Sequence, residues 1–322
     1  VTDPRALYLP SRAKLNLGLR IVGRRDDGYH LLDTVFHNLT LHDDVAVSRA
    51  EQNGITVTAE HDDLLVPAGE ANLAHRALVL VQQAVPESAR HSLHISLHKR
   101  IPNGGGLGGG SSNAACVLRL ANELLGNALD VTTLAGLGAQ LGADVPFFLR
   151  GGTQRGQGTG TDLTPATEPA RHYVLLVPPY GCPTAEVYKN HARQWQETQD
   201  TDSVTSITVP KNGDAAVGIG MCNELERAAE HLRPELGRLR QAVAEAGYAH
   251  VRMSGSGSTL FVGVADAGLA EQCQHDLTRA LTETEHRDVK FVTTTSGPAI
   301  DVDQPTSQIP ATVRFQPPDP LD

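Results

Sequence analysis

At 322 residues the chain has room for one large domain or two ordinary ones, each with its own core. A hydrophobic fraction of 40% and a charged fraction of 20% describe a globular polypeptide, and no apolar run of about 18 residues is present to span a membrane. The formal net charge of −10 excludes a general nucleic-acid binder, which needs a basic face, but not a protein that holds one nucleotide in a local site.

The N-terminal residues Val1–Arg5 carry no apolar signal core, so no secretory leader is expected. From Ala13 to Leu19 apolar and polar residues alternate, as in a half-buried strand. Arg24-Arg25-Asp26-Asp27-Gly28 reads as a turn, with Asp-Gly its strongest hairpin signal. Residues 31–41 and 45–47 are expected to be extended, and 55–58 to be another short strand. A helix is expected from Asn72 to about Ala84, with Leu73, Ala77, Leu80 and Val81 on one face and Asn72 as its cap.

Leu93, Ile95 and Leu97 alternate with polar residues in a strand that runs into Pro102 and a glycine-dense loop. Ala114, Ala115, Leu118, Ala121 and Leu125 then give a helical face ending at Gly126-Asn127, and a further helix covers about 131–141. The aperiodic stretch Thr161–Arg171 marks a domain boundary. In the second half a buried strand at 174–177 stops at Pro178-Pro179. A polar excursion at 196–215, a helix at 235–246, a strand at 259–264, a helix at 267–283 and a strand at 289–293 follow. That order suits an α+β sandwich of ferredoxin-like type. The proline-rich residues 301–322 are expected to be a loosely attached tail.

Cys116, Cys182, Cys222 and Cys273 are widely spaced and form no metal-ligand pair, and Cys116 sits in an apolar helical pattern as a small buried hydrophobe. A reducing cytoplasm fits this usage. The 14 histidines never take metal-ligand spacing.

Residues 102–112, Pro-Asn-Gly-Gly-Gly-Leu-Gly-Gly-Gly-Ser-Ser, are the most informative stretch. Glycine lets backbone N–H groups approach a ligand closely, and a helix N-terminus adds unpaired donors and a positive dipole end, so phosphate is the natural guest. A lysine-bearing P-loop is excluded, because Gly109 is followed by Gly110 and Ser111 and no lysine lies between Lys99 and Lys189. Gly104, Gly106 and Gly109 match G-x-G-x-x-G, but Asp130 and more helix follow where a dinucleotide fold needs an apolar strand. A flexible linker does not usually sit between an alternating strand and a well-patterned helix.

The segment from Pro102 to Ala115 resembles the phosphate-binding loop of the GHMP kinases. Ala13-Lys14-Leu15-Asn16-Leu17, Asp27-Gly28-Tyr29-His30, Gly142-Ala143-Asp144-Val145-Pro146-Phe147-Phe148 and Met253-Ser254-Gly255-Ser256-Gly257 strengthen the likeness, which runs over roughly residues 8–298. It is greatest to the branch that acts on a cytidine-diphosphate derivative of methylerythritol in the non-mevalonate route to isoprenoid precursors. One departure is Gly152–Thr161, where relatives usually carry a glutamate that this chain lacks.

The resemblance implies an α+β two-domain fold. Residues 1–165 would be an ATP-binding domain of ribosomal S5 domain 2-like type, and 166–300 a ferredoxin-like substrate domain. It implies transfer of the γ-phosphoryl of ATP to an alcohol, with Mg²⁺ accompanying the nucleotide and a monomer or weak homodimer as the assembly. Asp144 would be the base and Lys14 its electrostatic partner; locally, each also reads as a turn or capping aspartate and a solvated strand lysine. The phosphate loop would comprise Pro102, Asn103, Gly104, Gly105, Gly106, Leu107, Gly108, Gly109, Gly110, Ser111 and Ser112, with either serine capping the helix or touching phosphate or metal. Asn16, Tyr29, His30 and Tyr188 would hold the substrate, His30 at the cytosine edge and Tyr188 on its face. No metal ligand is assigned.

Overall fold

The computed structural model describes residues 6–25, 27–197 and 222–298, together with 307, 308, 310, 313 and 315. Most of the 196–215 excursion and of the 301–322 tail therefore lies outside the described residues.

Strands β1 (Leu7–Arg24) and β2 (His30–Arg49) form a long antiparallel hairpin, closed where Arg25 N donates to Tyr29 O and Gly28 N to Arg25 O. The register slips between Arg12 and Lys14, between Asn16 and Gly18, and between Ile21 and Gly23. Bulges of this kind bend a strand and re-aim its side chains, and the first two bracket Lys14 and Asn16. β3 (Gly54–Ala59), α1 (Leu73–Ala84) and β4 (Leu93–Lys99) make a strand–helix–strand unit with β3 parallel to β4. Asn72 caps α1 as expected, its Oδ1 accepting from Ala74 N at 2.9 Å.

The alternation that identifies β4 has a second consequence. Leu93, Ile95 and Leu97 face the core, so the period of two carries Lys99 inside with them, 1% exposed. A buried ammonium is tolerable only when paired and hydrogen-bonded. Asp43 of β2, fully buried, supplies the carboxylate, and Lys99 also donates to Asn113 Oδ1 at 3.3 Å. Asp43 Oδ1 accepts from Arg100 N at 2.7 Å and Ile101 N at 2.8 Å, and Asn113 Nδ2 lies 2.8 Å from both Asp43 Oδ2 and Ser11 Oγ. The cluster ties the strand entering the glycine loop to the helix leaving it. Asp43→Ala strands the Lys99 charge and is expected to cost about 3–5 kcal/mol, read as a lowered midpoint in urea denaturation.

α2 (Gly109–Leu124), α3 (Val131–Leu141) and α4 (Val145–Arg150) cover this sheet with α1. Leu78, Val81, Leu118, Phe147 and Ile95 meet in one fully buried cluster, each side chain worth about 1.5–3 kcal/mol of burial. β5 (Thr153–Gly158) pairs with β2 and folds back on β6 (Asp162–Pro165). Neither strand is expected from the sequence, which is aperiodic over 161–171. Glycine and polar residues give these strands no hydrophobic alternation, and their order comes from pairing, β5 on β2 and β6 on β5. Gly156 lets the Phe36 ring lie across β5, since a Cβ there would come within 2.6 Å of it.

The second half runs β7 (His172–Val177), α5 (Thr184–Glu197), α6 (Glu226–Leu232), α7 (Pro234–Glu245), β8 (Arg252–Met253), β9 (Leu260–Val264), α8 (Ala267–Leu281) and β10 (Lys290–Thr295). Its antiparallel sheet has the order β10-β7-β9-β8, the ferredoxin-like arrangement expected from the sequence. β7 is buried on both faces. Val174 and Leu176 pack among Val187, Leu236 and Leu277, whereas Tyr173, Leu175 and Val177 pack with Ala13, Leu15 and Leu39 of the first sheet. The second cluster fixes β1, and with it Lys14 and Asn16, against the other half of the molecule. β11 (Ser307–Gln308), within the tail region, pairs with Tyr8 and Leu7 at the edge of β1.

Among the described residues no helix is long and apolar enough to cross a membrane. All four thiols are free, and Cys116, Cys182 and Cys273 are buried.

Candidate active site

Three segments hold the glycine loop. Lys14 N of β1 donates to Leu107 O at 3.0 Å, Thr259 N to Gly105 O at 3.2 Å, and Ser254 Oγ to Gly106 O at 3.0 Å. Gly106 has φ +76°, and a Cβ there would collide with Ser254 O at 2.1 Å. Only glycine fits that turn. Asn103 Nδ2 anchors the outer end to Leu64 O at 2.8 Å.

The helix starts earlier than the serines suggested. Gly108 occupies the cap position in the left-handed region with no side-chain cap, and α2 begins at Gly109. The first helical bond runs from Ser112 N to Gly108 O at 2.9 Å. The N–H groups of Gly109, Gly110 and Ser111 precede it and have no intrahelical acceptor. Neither serine is therefore the cap. Ser112, 2% exposed, takes a 2.8 Å hydrogen bond from Ser11 Oγ and turns into the buried Lys99–Asp43 cluster. Of the two hydroxyls, Ser111 is the one that lines the cavities described next.

The glycine loop, Lys14, Asn16 and Gly255 line a cavity of about 360 Å³. Beside it lies a second cavity of about 750 Å³, lined by Arg24, Tyr29, His30, Thr159, Tyr188 and Arg193. Asp144, Ser111, Thr184, Leu32 and Tyr188 line both, so the two are halves of one cleft and Asp144 stands at the junction.

Asp144 directly precedes α4, yet its carboxylate makes no capping hydrogen bond. It is aimed at Lys14 Nζ, 3.8 Å away, with side-chain exposures of 33% for the aspartate and 4% for the lysine. The apolar residues after it explain its fixity: Phe147 stacks on Phe36 at 4.9 Å and Phe148 lies edge-on to Phe147 at 5.0 Å, both rings buried. Lys14 is held from several sides. Its ammonium lies 6.0 Å from the Phe36 ring centre and donates to Asn16 Oδ1. Asn16 is itself oriented by donating from Nδ2 to Thr34 Oγ1 at 2.8 Å, and Thr34 donates on to Gly18 O at 2.7 Å. Burial pushes the Lys14 ammonium below its ordinary value of 10.5, and the Asp144 carboxylate opposes that shift.

On the far side of the cleft the His30 and Tyr188 rings are 5.1 Å apart, and Tyr29 stands 66% exposed at the rim rather than in a core. Burial, then Arg24 and His191, hold the His30 imidazole below its ordinary 6.5. At neutral pH it is uncharged, with one ring nitrogen donating and the other accepting, the combination a nucleobase edge requires. Thr184 and Ser256 belong to the site as well, their hydroxyls 2.9 Å apart. The sequence gives Thr184 and Thr34 no role, and Ser256 only a place in the 253–257 motif. Pro183 before Thr184 marks a helix start, but nothing local says that this helix opens onto the cleft.

Family models match in both halves: GHMP kinases N terminal domain over residues 72–152, and GHMP kinases C terminal over 210–283. The first contains the glycine loop and Asp144, the second the 253–257 turn. A 4-diphosphocytidyl-2-C-methyl-D-erythritol kinase from Pelotomaculum thermopropionicum is 37% identical over 81% of this chain and 90% of its own length. The chain belongs to the 4-diphosphocytidyl-2-C-methyl-D-erythritol kinase family. A member from Xanthomonas campestris pv. campestris is 39% identical over 83% of this chain and 85% of its own. A crystal structure of 4-(cytidine 5'-diphospho)-2C-methyl-D-erythritol kinase superposes with TM-score 0.69 at 33% identity, covering 91% of this chain and all of the other. The homoserine kinase of Cytophaga hutchinsonii, at 16% identity and TM-score 0.62, shares the GHMP fold. Residues 152–161 fall on β5 and the turn after it, where Thr159 reaches the larger cavity.

Proposed function

We propose that the cleft transfers the γ-phosphoryl of ATP to the 2-hydroxyl of 4-diphosphocytidyl-2-C-methyl-D-erythritol, with Asp144 as general base and Lys14 as its electrostatic partner. The observation that carries this reading is the position of Asp144 where a phosphate-binding cavity meets a ring-lined one, with a buried ammonium 3.8 Å away. ATP phosphates would lie on the N–H groups of Gly109, Gly110 and Ser111, and the cytosine would lie with its face on Tyr188 and its edge at His30. That puts the alcohol at Asp144. Its oxygen forms the new bond to the γ-phosphorus as the bond to the β-bridging oxygen breaks. Asp144 takes the hydroxyl proton, and ADP leaves with the bridging electrons. Lys14 stabilises negative charge on the moving group without giving up a proton.

The described residues hold no group of three or more histidine, cysteine or acidic side chains that could cage a cation. That donor set fits a Mg²⁺ ion that arrives on the nucleotide, with Ser111 and Asp144 within the cleft to meet it. Bound there, it would neutralise charge on the β- and γ-oxygens. The four free thiols support a cytoplasmic setting. We retain 1–165 and 166–300 as nucleotide and substrate domains, a division supported by the separate sheets of the two ranges.

The direct test is phosphate transfer from labelled ATP to the purified cytidyl substrate, with the product identified by mass. Rapid turnover of homoserine or mevalonate and none of the cytidyl compound would refute the assignment. Tyr188→Ala should raise KM for the cytidyl substrate on the order of 10-fold, because stacking a base on an aromatic is worth about 1–3 kcal/mol. KM for ATP should stay where it was, and a variant that weakened both alike would place Tyr188 in the core rather than against the base.

A further inference from the structure

Residues 222–224 lie far along the chain from Lys14 and line neither cavity, yet they are bonded to both sides of the site. Leu19 N donates to Cys222 O at 2.7 Å and Glu224 N donates to Leu19 O at 3.0 Å, which seats the segment on β1 just past Asn16. Ile21 N donates to Glu224 Oε2 at 2.7 Å and reinforces the same seat. From there Asn223, 6% exposed, reaches the 253–257 turn. Its Nδ2 donates to Met253 O at 2.9 Å and to Gly255 O at 2.7 Å, while its Oδ1 accepts from Leu225 N at 3.0 Å.

Gly255 is the floor beneath the catalytic pair's lysine. A Cβ on it would lie 3.2 Å from Lys14 Nζ and 3.1 Å from Asn16 Oδ1. The same turn holds the glycine loop through Ser254 and Gly106, and the glycine loop is bonded back to Lys14 N. β1, the glycine loop, the turn and Asn223 therefore form a closed circuit of hydrogen bonds around the ammonium. We propose that Asn223 is a positioning residue for phosphoryl transfer, fixing the Met253 and Gly255 carbonyls so that the Gly255 backbone holds Lys14 and Asn16 in reacting geometry. The proposal rests on the kinase reading above. Asparagine suits the task because one short carboxamide supplies two donors and an acceptor; aspartate supplies no donor, serine only one.

The test is a double-mutant cycle with Asn223→Asp and Asn223→Ser, each made in the wild type and in Lys14→Met. Single-turnover rates are measured at saturating ATP and cytidyl substrate, KM is measured for ATP, and amide exchange is followed over 253–257. Asn223→Asp should lower the rate roughly 10-fold or more with ATP KM within about 3-fold, and Asn223→Ser should lose less. In the Lys14→Met background either change should cost under about 3-fold, because an effect routed through Lys14 has nothing left to act on. Equal losses in the two backgrounds, or a loss confined to ATP KM, would overturn the proposal. If Asn223→Asp does not fold, the serine variant carries the cycle. A wild type inactive on the cytidyl substrate refutes the kinase reading instead. The positioning role then stands or falls on exchange, and 253–257 exchanging no faster in Asn223→Ser than in the wild type overturns it.

Discussion

Asp144→Asn is expected to lower kcat by roughly 10²–10⁴-fold, the usual contribution of a general base, while ATP affinity stays within a few-fold. Asparagine matches aspartate in shape and keeps an acceptor oxygen, but it cannot accept the hydroxyl proton. The structure isolates that one change well. The carboxylate caps no helix, and its partner is Lys14, whose ammonium keeps its bond to Asn16. Folding should therefore be little disturbed, which thermal unfolding will check. On the proposed reading the ATP phosphates would be held by the N–H groups of Gly109, Gly110 and Ser111, none of which makes a hydrogen bond to Asp144. Asp144→Glu is the companion variant, because an added methylene displaces the carboxylate by about 1 Å, enough to cost on the order of 10²-fold. Turnover by Asp144→Asn at the wild-type rate would remove this residue from the chemistry.

Much of the fold is legible because local pattern and tertiary demand agree. The alternation of β4, the cap at Asn72 and the apolar face of α2 each have one physical reading, and the structure has the corresponding element. The ferredoxin-like half followed from element order alone. Legibility fails where order is imposed from outside. β5 and β6 have neither alternation nor propensity; β5 is a strand because β2 offers an open edge, and β6 because β5 then offers another. α6, with Ala228 and Ala229 buried, was not anticipated, since two alanines in a seven-residue helix give too little periodicity to notice.

The site was legible to a different depth. The glycine loop states its chemistry in its own residue types, whereas Asp144 and the Tyr29-His30 pair were picked out by the family resemblance, and the structure lines one cleft with all of them. What the sequence hides is which way a side chain turns. Ser111 and Ser112 are adjacent and identical, yet helical geometry sends Ser111 to the cleft and Ser112 to Ser11. Lys99 reads as a surface lysine until the period of two carries it inside, and Asn223 gives no local sign that it braces a turn 30 residues away. Such partners meet only when the sheets are assembled.

Lys14→Met is expected to lower kcat by about 10²–10³-fold, the range found when a preorganised transition-state donor is removed. Methionine fills the stem of the lysine, so the packing against Phe36 and the glycine loop survives and the charge alone is lost. The decisive signature is the pH profile. Burial holds the folded-state ammonium below its ordinary 10.5, so the wild type should lose kcat as pH rises through that lowered value, below the range where an exposed lysine titrates. Lys14→Met should lack this limb. Stability must move the other way. Between the lowered value and 10.5 the unfolded chain holds a proton that the folded chain has released, so the Lys14 contribution to stability rises with pH across that window. Alkaline inactivation in the wild type would then occur with no matching fall in the unfolding midpoint. If rate and midpoint fall together, or if Lys14→Met keeps the alkaline limb, the charge that matters is not on Lys14.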